Sequence, residues 1–61
     1  MIIEFKYRDS KHKQQTVTKN LEPSCLNVER VFISGERYWI ERKELHLEEP
    51  KITVWLKYQR Y

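Results

Sequence analysis

Five side chains near the middle and end of the chain carry the most chemical information: Phe32, Trp39 and Trp55, interleaved with Arg30 and Arg37. Aromatic rings offer flat apolar faces, and guanidinium groups offer planar donors for carboxylates, phosphates or the rings themselves. If Tyr38, Ile40, Val54 and Leu56 point inward on strands, these five point the other way. A second sheet face rich in aromatics and arginine is expected to bind something. Aromatic and arginine anchors dominate protein interfaces, so Phe32, Trp39, Trp55, Arg30 and Arg37 are the candidate protein-binding residues. An exposed apolar patch on a small protein usually marks a contact surface, so a second copy of the chain, a larger protein, or both are the expected partners.

The alternative chemistry is that of single-stranded nucleic acid, in which bases stack on rings and cations track phosphates. Lys6, Arg8, Lys11, Lys13 and Lys57 are the candidate phosphate contacts in that reading. Catalytic chemistry has weaker support. Glu44, His46 and Glu48 would share one face of a strand, as in a small ribonuclease-type toxin, but no glycine-rich loop or visible pocket accompanies them. Cys25, His12 and His46 lack the short paired spacings of a zinc site, and nothing brings Cys25 to a base. The expectation is a chain that is not an enzyme and needs no cofactor or metal.

The elements that must position these residues are short strands. Ile3, Phe5 and Tyr7 alternate with Glu4, Lys6 and Arg8, the period-2 pattern of a half-buried strand. A polar turn over residues 9–13 and a return through Thr16, Val17 and Thr18 complete an N-terminal hairpin with a cationic tip. Pro23 breaks the chain in the connector that follows, where Ser24 is placed to cap a short helical turn at Cys25. Ser34 and Gly35 separate two β-prone segments, 28–33 and 37–42, as a tight hairpin turn does. A two-residue loop sets Val31 opposite Tyr38, Phe32 opposite Arg37 and Arg30 opposite Trp39, and a bulged three-residue loop shifts this register by one.

Residues 41–49 have good helix propensity, yet Leu45 and Leu47 stand two apart, which favours a short strand or a strand with one helical turn. Pro50 closes that segment, and Ile52, Val54, Leu56 and Tyr58 alternate cleanly in the last strand. Lys51, Lys57 and Arg60 read as protective charges if that strand is an edge. The predicted fold is all-β: one domain over residues 1–61, an antiparallel sheet or barrel of about five short strands with one short helical turn. The expected core is Ile3, Phe5, Tyr7, Val17, Val31, Ile33, Tyr38, Ile40, Leu45, Leu47, Ile52, Val54 and Leu56.

Composition sets the frame for this reading. With 61 residues, 39% of them hydrophobic and 34% charged, the chain can close a single small core and has no room for a deep water-excluding site. The net charge of +3 is segregated. Residues 1–20 carry five cations and two acids, residues 21–49 four cations and seven acids, and residues 50–61 three cations and no acid. Basic ends lying across an acidic middle make a self-complementary surface, which weakens the case for nucleic acid that the pI of about 9.2 would suggest. No apolar run approaches the roughly 20 residues of a membrane span, no signal peptide is visible, and one cysteine suits a reducing cytoplasm. No motif carries a family resemblance.

Overall fold

The computed structural model describes residues 1–58, of which 64% lie in strands. Strands β1 (Ile2–Arg8), β2 (Gln14–Asn20), β3 (Arg30–Ile33), β4 (Glu36–His46) and β5 (Lys51–Tyr58) form one sheet in the order β2-β1-β5-β4-β3, curled into a half-barrel. The only helical turn among the described residues is a 3-10 turn over Pro23–Leu26. The all-β, five-strand expectation holds, with one refinement: β1 and β5 run parallel, so the sheet is mixed rather than wholly antiparallel. Consequently β5 lies between β1 and β4 instead of at an edge, which removes the protective reading of Lys51 and Lys57. Arg60 lies outside the described residues.

Local chemistry explains each turn. At the tip of the β1–β2 hairpin the Asp9 carboxylate accepts from the backbone amides of Lys11 (2.9 Å) and Lys13 (3.0 Å) and from the Gln15 side chain (3.2 Å). The Lys13 amide is the chief cause holding the Asp9 pKa below its ordinary value. His12 takes φ 63° at the end of this three-residue loop, a left-handed position that glycine usually fills. Between β3 and β4, Ser34 (φ 52°) and Gly35 (φ 78°) both have positive φ, as a type I′ turn requires. The register is that of the two-residue loop rather than the bulged one, with Arg30 opposite Trp39, Val31 opposite Tyr38 and Phe32 opposite Arg37.

Because β2 and β3 lie at opposite edges, residues 21–29 must carry the chain across the sheet. The 3-10 turn begins at Pro23 rather than Cys25, and the position before it is Glu22, with no side-chain cap; Ser24 contributes its backbone carbonyl, which accepts from Asn27. Leu26 drops from this turn into the core, and its carbonyl accepts from Lys43 Nζ at 3.3 Å.

The inner face buries Ile3, Phe5, Tyr7, Leu26, Tyr38, Val54 and Leu56, with Val17, Val31, Ile33, Ile40, Ile52 and Tyr58 packed against them. Tyr7, Tyr38 and Tyr58 form a ring cluster, with centroids 4.9 and 5.5 Å apart, and the Tyr58 hydroxyl donates to Glu36 Oε2 at 2.7 Å. Burial pushes the Tyr38 phenol pKa up. Two expected core residues are not in it. Leu47 is 82% exposed because β4 ends at His46 and Leu47 opens the turn to β5; Leu45, next to the end of β4 and opposite Ile52, is 56% exposed. Residues 41–46 are strand, with no helical turn.

Candidate functional site

The outer face is built by cross-strand neighbours. Lys6 on β1, Trp55 on β5 and Arg42 on β4 form one row across the sheet. Lys57 on β5, Trp39 on β4 and Arg30 on β3 form the next. Arg37 on β4 and Phe32 on β3 form the third. Each row is shifted one strand over from the one before it and lies two residues further along the strands, or three along β4 between Arg42 and Trp39. Trp55, Trp39 and Phe32 therefore lie on one straight diagonal, with steps of roughly 8 Å from ordinary strand spacing and rise. Lys6, Lys57 and Arg37 run along one side of that diagonal, and Arg42 and Arg30 along the other. An aromatic stripe between two cationic stripes crosses three strands of the sheet.

Three guanidinium groups sit over these rings: Arg42 on Trp55 at 4.1 Å from the centroid, Arg30 on Trp39 at 4.6 Å and Arg37 on Phe32 at 5.7 Å. Trp39 and Trp55 are partly buried beneath them, whereas Phe32 is 65% exposed. All five residues expected at a binding face are thus brought together, and Lys6 and Lys57 from the alternative set join them. Arg8 lies beside them, lining an open groove of about 610 Å³ with Lys6, His12, Gln14, Trp55 and Lys57. Lys11 and Lys13 stay at the hairpin tip, outside that lining.

Arg42 is the residue of this face that alternation alone places wrongly. Counting by twos from Tyr38 and Ile40 puts it inside. A β-bulge at Glu41 lies between the pairs Ile40–Leu56 and Arg42–Trp55, so the strand changes phase and Arg42 turns outward. The sequence does hold the signal: apolar positions are even at Tyr38 and Ile40 but odd at Leu45. Glu41 itself lines both the 610 Å³ groove and a second depression beside Trp39 and Arg42, with Asp9 in the first and Glu29 in the second, so three acids stand among the cations.

Further acids of this face pair with its lysines. Glu4 pairs with Lys6 (3.7 Å) and Lys51 (3.9 Å), and Lys51 also meets Glu49 at 3.0 Å. The Lys51–Glu49 contact is the main cause that lowers the Glu49 pKa and raises that of Lys51. Glu44 and His46 share the outer face, but Glu48 lies in the turn after β4, so the three do not line one strand face. A ring nitrogen of His46 is 3.0 Å from the hydroxyl of buried Thr53. Cys25 is exposed, and no three His, Cys, Asp or Glu residues gather as a metal site among the described residues. No helix of the described residues is long and apolar enough to cross a membrane.

No family model matches the chain, and no curated protein or solved structure shows significant similarity to it.

Proposed function

We propose that the protein is a non-enzymatic binding module whose outer face takes a flexible polyanionic strand, single-stranded nucleic acid. The observation that supports this reading is the diagonal Trp55–Trp39–Phe32 flanked by Lys6, Lys57, Arg37, Arg42 and Arg30. A strand laid along the diagonal meets a ring and a cation at each step. Phosphates draw the guanidinium groups off Trp55 and Trp39, and the uncovered rings take bases, each stack contributing roughly 1–3 kcal/mol. The guanidinium groups already held over the three rings are ready contacts for phosphate, which is why the polyanion ranks first. A cytoplasmic setting, in keeping with the exposed Cys25 thiol, belongs to this reading.

Trp39 and Trp55 report the test themselves. Titration of a thymidine oligonucleotide at low salt is expected to quench their fluorescence, with affinity falling as salt rises by roughly 0.7 log units per log unit of salt for each phosphate neutralised. Trp55→Ala and Trp39→Ala are each expected to weaken binding by about 5- to 150-fold. An absence of quenching, or equal affinity for polyglutamate, overturns the proposal.

A protein partner docking on Phe32, Trp39, Trp55, Arg30 and Arg37 is the second reading. It is favoured by Phe32, whose ring stands 65% exposed on the short edge strand β3. Such a contact would hold its affinity as salt rises, and Phe32→Ala would weaken it most.

A further inference from the structure

The open edge of β2 is self-complementary, and we infer that it pairs with β2 of a second copy of this chain to make a two-fold dimer. In the sheet order β2 has a strand on one side only, and six of its seven residues are exposed, Val17 alone being half-buried. The direction of its backbone groups follows from the hydrogen bonds at the ends of the β1–β2 ladder. Leu21 donates to Met1 (3.0 Å) and Met1 to Leu21 (3.2 Å), while Asp9 donates to Lys13 (3.0 Å). Antiparallel ladders alternate bonded and non-bonded pairs. Gln15, Val17 and Lys19 therefore bond to β1, and Gln14, Thr16, Thr18 and Asn20 aim their amides and carbonyls at the open edge.

A two-fold axis through Val17 is the one antiparallel register that pairs all seven residues of β2. It sets Thr16 against Thr18 and Gln14 against Asn20 of the second copy. These are the residues whose backbone groups are free for bonding, so eight inter-chain backbone hydrogen bonds would form, by the ladder rule for four bonded pairs. Val17 meets Val17 at a close, non-bonded position on the inner face, which joins the two cores. The single charge, Lys19, faces Gln15 rather than another lysine. Natural edge strands are normally blunted by shortness, bulges, proline or lysine, and of these β2 has only Lys19: it runs seven residues in unbroken register with β1. The other edge, β3, offers only four residues.

Size-exclusion chromatography with light scattering over a concentration series tests the inference. The expected result is a doubled mass that falls to the single-chain value on dilution. Thr18→Pro removes only an edge-facing amide, so it is expected to leave the circular dichroism spectrum unchanged and to abolish the dimer. A monomer throughout the series, or a folded Thr18→Pro that still dimerises, overturns the inference. Val17→Cys in a Cys25→Ser background decides the matter even if Thr18→Pro unfolds. Mild oxidation is expected to give a disulfide-linked dimer, because the two thiols face each other across the axis, and failure to crosslink overturns this register.

Discussion

Among the described residues two hold left-handed backbone without being glycine: His12 at the first hairpin tip and Ser34 in the second turn. Each conformation costs of order 1 kcal/mol for an ordinary L-residue, and asparagine tolerates it best among those with side chains. Ser34→Asn is therefore expected to stabilise the fold by about 0.5–1 kcal/mol in urea unfolding. Gly35→Ala, although open space surrounds the added methyl, is expected to destabilise it by about 1–2 kcal/mol through φ alone. The Ser34–Gly35 turn was legible because its chemistry is local, but the pairing of Arg30 with Trp39 and of Phe32 with Arg37 was not, because it depends on whether the loop carries a bulge. Leu26 and Arg42 were harder to read. The first reaches the core from a connector with no periodicity, and the second owes its direction to a bulge within β4, away from the turn that opens the strand.

Strand β4 is the element that assembles the outer face, because its bulge lets one strand serve the core with Tyr38 and Ile40 and still present Arg42 to Trp55. Every cross-strand pair between β4 and β5 skips Glu41. Deletion of Glu41 is thus expected to keep the fold, with stability changed by no more than about 1 kcal/mol. It also removes the acid between the two tryptophans and is expected to tighten oligonucleotide binding in the fluorescence titration. Deletion of Lys6 from β1 is the contrasting case: it throws Phe5 and Tyr7 onto opposite faces and is expected to unfold the chain. Alternation along β1 and β5 was plain in the sequence because neither strand is bulged. In residues 41–49, helix propensity competed with a broken alternation, and tertiary pairing with β5 decided for strand.

At the scale of the whole molecule, the strand count was legible and the strand order was not. Antiparallel neighbours announce themselves through short turns, but the parallel pair β1–β5 is joined by the entire chain between them and leaves no local mark. That pair carries Ile3, Phe5 and Val54, the centre of the core, so a fragment of residues 1–50 is expected to show no folded circular dichroism signal, leaving two hairpins with nothing between them. The parallel pair also sets a clock. Ile2 pairs with Lys51 and Lys6 with Trp55, partners 49 positions apart. At ordinary synthesis rates the β1 residues leave the ribosome roughly 2–10 s before the strand they need exists. During that interval Ile3, Phe5 and Tyr7 have no core to enter, so the burden of keeping the nascent chain soluble falls on the charges set between them, Glu4, Lys6 and Arg8.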